Sequence, residues 1–274
     1  MRLTVLASLG LAAFSFAQDP TAGVFRAKSA FQEFLAAEQA RGGHWVAQWH
    51  PATITPSAIY GTGMPIADWR ENSLVEARRH ALATLESHRG LLGLGTSEFR
   101  EIIGSRLGRT WSFTFDQYFR GLQVIEGRAD VRIHMKGVVS MLGSRAFPVP
   151  ADFDITPQID EQVATAIAWQ RAGTPTGAPQ PVRNQVTRLV IWGDSEAQDL
   201  ATVHLAWEVP ISNVARDGTG SIGRHYVDAK TGRYLHFGND KHECGFVSCS
   251  NADHGADRVE ANAVPPQPAT PAGP

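Results

Sequence analysis

The sequence predicts an α+β protein of two tandem units, each a helical stretch followed by an antiparallel sheet. Three observations lead there. Apolar residues recur with helical period between Ser29 and Gly42, between Ser73 and Gly90, and between Asp160 and Gly173. They alternate with period two from Trp111 to Leu142 and again in runs from Val186 to Phe237, broken by short glycine turns that suit antiparallel neighbours. Pro148, Pro150 and Pro157 stand between the two groups and mark a joint.

In chain order, residues 1–17 read as an export signal. Arg2 precedes the apolar run Leu3 to Phe16, and Ser15 and Ala17 are the small residues that a signal peptidase requires. The run is shorter than the about 20 apolar residues of a bilayer span, so no membrane contact is expected after cleavage, and the mature protein is expected to be secreted or periplasmic.

Residues 18–147 make the first unit. Ser29 and Gln32 have capping-box form, with Phe31, Phe34 and Leu35 on one helical face until Gly42 and Gly43 stop the helix. His44 to His50 reads as a strand, and the Pro/Gly-rich run on to Met64 and Pro65 as a surface loop. A second capping box, Ser73 with Glu76, opens a helix whose stripe is Leu74, Ala77, Ala81, Leu82 and Leu85, and Gly90 can end it. Trp111, Phe113, Phe115 and Gln117 then share one face of a strand, and Ser112, Thr114, Asp116 and Tyr118 the other. Arg120 and Gly121 turn the chain into a strand where Ala129, Val131, Ile133 and Met135 alternate with Asp130, Arg132, His134 and Lys136. Gly137 turns it again into Val138 to Leu142.

Residues 148–238 make the second unit. Asp160 caps a helix carrying Val163, Ala164, Ile167 and Ala168, ended by Gly173. Strands are expected at Val186–Trp192, Val203–Ile211, His225–Ala229 and Arg233–Phe237, the last two joined at Lys230, Thr231 and Gly232. Residues 239–263 read as a loop segment containing both cysteines, and 264–274, rich in proline, as a disordered, extended tail.

The chain has 25 basic and 27 acidic residues and no basic stripe, which excludes a nucleic-acid field. Cys244 and Cys249 suit a local disulfide in an exported protein. Zinc is the alternative, because His236, His242 and His254 flank the pair, but the spacing matches no familiar zinc module. No nucleophile elbow, phosphate loop or dinucleotide fingerprint is present. His80 and His88, two turns apart, read as solvated polar-face residues. Asp116 and Gln117, inside an aromatic strand, suit either contact with a partner protein or a hydrogen bond within the domain. Asp228 and Gly232 read as a turn closing the last hairpin, and Trp111 and Trp207 as core anchors.

Trp111 to Gly127, with Phe113, Phe115, Gln117, Tyr118, Gly121 and Val124, resembles the fungalysin/thermolysin propeptide (FTP) domain. Leu205 to Leu235, with Trp207, Tyr226, Asp228 and Gly232, looks like the PepSY domain that accompanies it. The likeness runs roughly over residues 45–145 and 155–237. It implies the prosegment of a secreted zinc metallopeptidase, acting as non-covalent inhibitor and folding chaperone of a metallopeptidase catalytic domain. The two-histidine helix with its glutamate base that such enzymes need is absent: His242 and Glu243 are followed by Cys244, Gly245 and Phe246. No catalytic residue, metal or cofactor is therefore expected. The leading expectation is a propeptide-like protein acting in trans. The alternatives are a truncated protease precursor and an exported module binding a peptide or envelope component.

Overall fold

The computed structural model describes residues 20–173, 186–214 and 220–240. Among them are four helices and ten strands, an α+β fold in two compact units. The first runs through Ile155 and takes back Ile191–Val203; the second holds Thr156–Val190 and the chain from His204 onward. The signal-like residues 1–17, Cys244, Cys249 and the 264–274 tail lie outside the described residues. No described helix is long and apolar enough to cross a membrane.

In the first unit six strands form one antiparallel sheet: β1 (Trp45–Trp49), β2 (Pro56–Pro65), β3 (Glu98–Leu107), β4 (Thr110–Phe119), β5 (Leu122–His134) and β6 (Val138–Ser144). Their spatial order is β1–β2–β6–β5–β4–β3. One face packs against α1 (Pro20–Gln39), α2 (Leu74–Ser87) and α3 (Arg89–Leu92). The alternation along β4 explains why: Trp111, Phe113, Phe115, Gln117 and Phe119 are buried while the residues between them are not. Ala129, Val131 and Ile133 of β5 lie opposite Phe115, Phe113 and Trp111, so the apolar sets coincide. Each large side chain buried there contributes on the order of 1.5–3 kcal/mol.

Several elements differ from the sequence-based expectation. The first helix starts at Pro20, nine residues before Ser29, so the capping-box pattern at Ser29 lies inside a helix. The expected surface loop up to Pro65 is mostly β2, a bulged strand held between β1 and β6. Its Gly61 is required by close packing, because a Cβ there would lie 2.0 Å from the His44 carbonyl oxygen. Gly61→Ala should therefore lower stability by about 1–3 kcal/mol through overpacking. A thermal unfolding midpoint equal to that of the parent chain would contradict this β1–β2 register.

Ser73 does cap α2, accepting the Glu76 N–H at 3.2 Å. That helix ends at Ser87, before Gly90, and the left-handed cap is Gly93, after α3. Ala77, Ala81 and Leu85 are buried, but Leu82 is 41% exposed and leaves the expected stripe. Strand β3 went unanticipated, because Glu98, Arg100, Glu101 and Arg106 interrupt its alternation.

In the second unit α4 (Glu161–Ala172) packs on the meander β8 (Val203–Val214), β9 (Gly220–Asp228) and β10 (Tyr234–Asn239). Asp160 Oδ1 accepts the Val163 N–H at 2.8 Å and caps the helix. Ala164 and Ala168 are buried against Val209, Ile211 and Val227, whereas Val163 is 46% exposed and faces away from that core. Strand β7 (Arg188–Gly193) carries the chain from the second unit into the first, where Ile191 meets Val124 in a parallel contact and the Ala201 N–H donates to Ala52 O at 2.8 Å.

Candidate binding face

Among the described residues, the second face of the first unit's sheet carries no helix. Strand registers set a row across it: Val46 opposite Tyr60, Tyr60 opposite Met141, Met141 opposite Arg132, Arg132 opposite Ser112, and Ser112 opposite Ser105. Val46, Tyr60 and Arg132 are exposed, and Met141 and Ser112 half-buried. Tyr60, Leu107, Arg132 and Met141 rim a shallow depression of about 460 Å³ whose floor adds hydroxyls from Thr110, Ser112 and Ser140. The Arg132 side chain makes no ion pair among the described residues. An aromatic ring, a thioether and an unpaired guanidinium side by side are the groups that protein interfaces use most.

Further along this face Tyr118 lies under the Arg100 guanidinium, 4.1 Å from ring centre to cation. Asp116 accepts from Gln123 Nε2 at 2.9 Å and has Arg128 at 3.9 Å. These charges satisfy one another, so this end of the face is less available than the Tyr60–Arg132 end.

Gln117 points the other way and is fully buried. Its Nε2 donates to Ser97 Oγ and to Phe147 O, both at 2.8 Å, and its Oε1 accepts the Phe147 N–H at 2.9 Å. One side chain thus pairs both backbone groups of Phe147. Room for it comes from Gly127, where a Cβ would sit 2.3 Å from Gln117 Oε1. The preceding Glu126 has φ 60°, in the left-handed region, because β5 bulges there as its register with β4 slips. Gly121, with φ 84°, closes the β4–β5 turn beside Arg120, and Val124 is buried. Trp111 is a core side chain whose Nε1 donates to Asn72 Oδ1 at 2.7 Å.

In the second unit Trp207 packs on the helix-side core, and its Nε1 donates to Ile159 O at 3.0 Å. Asp228 organises the β9–β10 turn: its Oδ1 accepts the Lys230 and Thr231 N–H groups, each at 2.9 Å, and Oδ2 lies 3.0 Å from His204 Nδ1. Gly232 supplies the φ of 73° that the turn needs. Tyr226 donates its hydroxyl to Glu208 at 3.2 Å, and Arg188 forks onto that carboxylate.

Two histidines emerged only from the tertiary structure. The solvated reading of His80 and His88 does not hold for His80, which is buried with Nε2 3.3 Å from Glu76 Oε1 and its ring 5.7 Å from that of Trp69. Hydrogen bonds from Arg79 first, then from the Arg70 N–H and His80, hold the Glu76 carboxyl down at about 2. His88 is half-buried and caps α2, Nδ1 2.8 Å from Thr84 O. Both line a cavity of about 680 Å³ between the end of α1, α2 and β2, whose Glu38 is taken by Arg41 and Trp45. In the second unit His225 is buried, Nδ1 2.8 Å from the Tyr234 hydroxyl and Nε2 without a partner among the described residues. Burial pushes its pKa down. A capping-box glutamate four residues before a histidine was the available signal for His80; nothing local marks His225.

Among the described residues no group of three His, Cys, Asp or Glu side chains is placed to hold a metal ion. His236 is described, but Cys244, Cys249, His242 and His254 are not.

No family model and no curated protein matches the chain. Among solved structures it is similar to the Bacillus megaterium YpeB C-terminal domain, at 16% identity and a TM-score of 0.36, over 79% of this chain and 96% of that one. A likeness that loose transfers no function.

Proposed function

We propose that the protein is exported and acts as a propeptide-like, non-catalytic partner of a thermolysin- or fungalysin-type metallopeptidase, inhibiting it non-covalently, assisting its folding, or both. The observation that carries the reading is the uncovered sheet face of the first unit, with Tyr60, Met141 and Arg132 in register across three adjacent strands. A rigid sheet presents such side chains at little entropic cost, and a face that binds only the native enzyme also stabilises it by mass action. One surface then serves inhibition and chaperoning together. The FTP-like run Trp111–Gly127 and the PepSY-like run Leu205–Leu235 supply the choice of enzyme class. Their most characteristic side chains, Phe113, Phe115, Gln117, Trp207 and Asp228, are engaged inside the units, so they support the fold that displays the face.

The test is a titration of the mature protein into a thermolysin-type protease, following peptide hydrolysis and the integrity of both chains. Saturable inhibition with the added protein intact is expected. Replacing Tyr60 and Arg132 together by alanine should weaken it by roughly 10-fold or more, as expected for the loss of two central interface side chains. If the parent chain neither inhibits nor speeds refolding of such enzymes, the reading fails.

A further inference from the structure

The outer edge of β3 is unpaired among the described strands, because β3 bonds to β4 alone. Its two halves are built differently. From Glu98 to Glu101 it carries three charged side chains, and its register with β4 slips between Glu101 and Ile103, leaving Ile102 as the extra residue of a bulge. Charges and a bulge are the devices that keep an exposed edge from pairing with another strand.

From Ile103 to Leu107 neither device operates. The register with β4 is regular through all five residues. Ile103 is 49% and Leu107 78% exposed. Arg106, the charged residue of this segment, turns back toward β4: its Nε donates to Gly108 O at 2.9 Å and its guanidinium lies 5.9 Å from the Trp111 ring centre.

We infer that this half of β3 is a self-association edge, pairing antiparallel with the same segment of a second copy about a two-fold axis at Ser105. Symmetry selects that register. Directly opposite residues in an antiparallel pair stand on the same face, so an axis normal to the sheet must set one residue opposite itself. The middle of the regular segment is Ser105. Ile103 then lies opposite Leu107 of the second copy and Leu107 opposite its Ile103, both pairs on the uncovered face. On the helix side Arg106 lies opposite Gly104, beside which the Glu101 carboxylate, held by Arg78, already stands, and the inward turn of the arginine keeps its guanidinium clear of that pair. No like charges stand directly opposite, and the two apolar pairs add to the new backbone ladder. The uncovered faces of both copies come to lie on one side, so the association extends the proposed enzyme-binding face without covering it. The inference stands whether or not that enzyme reading does.

The experiment measures the mass of the full chain in solution by light scattering over the micromolar to low-millimolar range, beside Leu107→Lys and Ser105→Cys. The cysteine variant also carries Cys244→Ser and Cys249→Ser. A rise toward double mass in the parent, its loss in L107K, and a covalent dimer from oxidised S105C but not from an equivalent Ser112→Cys are the expected results. Leu107 is exposed, so L107K should keep the parent's circular dichroism. A parent that stays monomeric throughout, or a dimer that L107K leaves intact, would overturn the inference.

Discussion

Gln117→Leu should unfold the first unit at markedly lower urea concentration, losing about 3–5 kcal/mol, because three buried groups lose their partner at once. The leucine fills much the same volume, so the loss is not one of packing. The Phe147 N–H and C=O and the Ser97 hydroxyl all bond the Gln117 amide, and the site is sealed from water. A buried backbone group left unpaired costs about 1–3 kcal/mol, far more than a hydrogen bond normally contributes net. The Ser97 oxygen loses an accepted bond but keeps its own proton to donate; the peptide N–H and C=O of Phe147 each lose the Gln117 partner outright. Equilibrium urea unfolding of the two chains measures the difference. A change under about 1 kcal/mol would mean that Phe147 finds other partners and that this network does not hold the chain to β4.

The second large effect belongs to the other unit. Asp228→Ala should cost about 2–3 kcal/mol at neutral pH, the worth of charge-assisted hydrogen bonds at a turn, while Asp228→Asn should cost much less. Asparagine keeps an oxygen for the Lys230 and Thr231 N–H groups and loses only the charge beside His204. Burial alone would raise the Asp228 pKa. The Thr231 and Lys230 N–H groups, the Thr231 hydroxyl and His204 outweigh it, and the carboxyl sits below its ordinary value.

The sign follows from which state takes up protons first. An unfolded aspartate protonates near pH 4 while the folded one stays ionised, so its contribution is complete above about pH 4 and is lost as pH falls through the lowered folded value. His225 acts earlier. Burial depresses its pKa, so below about 6.5 the unfolded chain binds a proton that the folded unit resists, and stability declines from there toward the lowered folded value. Urea midpoints measured from about pH 8 to about pH 3 should therefore fall in two stages. D228N should keep the first stage and blunt the second. A D228N profile parallel to the parent's through the acid range would remove Asp228 from the account.

What was legible in the sequence was local. The period-two alternation of Trp111 to Phe119 reported a strand with one covered face, and the Ser73 and Asp160 side chains cap their helices, each accepting the N–H three residues on. The glycine turns at Gly121, Gly137 and Gly232 carry the positive φ that their residue type allows. Each of these depends on residues within a few positions of one another. Strands β2 and β3 were illegible because their pattern answers to neighbours far along the chain. Gly61 is there to admit the His44 carbonyl, and Glu101 to pair with Arg78 on α2 at 2.8 Å.

For the candidate face, composition along β4 and β5 showed which side chains point away from the core. The alignment of Tyr60 with Met141 and Arg132 depends on three strands brought into register from residues up to 81 positions apart in the chain, with bulges that no local pattern announces. The residues of this chain by themselves determined the α+β class, the helix starts at Ser73 and Asp160, the turns, and which faces of β4 and β5 are apolar, because those follow from short-range sterics and side-chain periodicity. Only the tertiary structure decided that Gln117 is spent on Phe147, that His80 and His225 are buried, and that Ile191–Val203 returns to the first unit. Burial and hydrogen-bond satisfaction are properties of what surrounds a residue, and those surroundings come from distant parts of the chain.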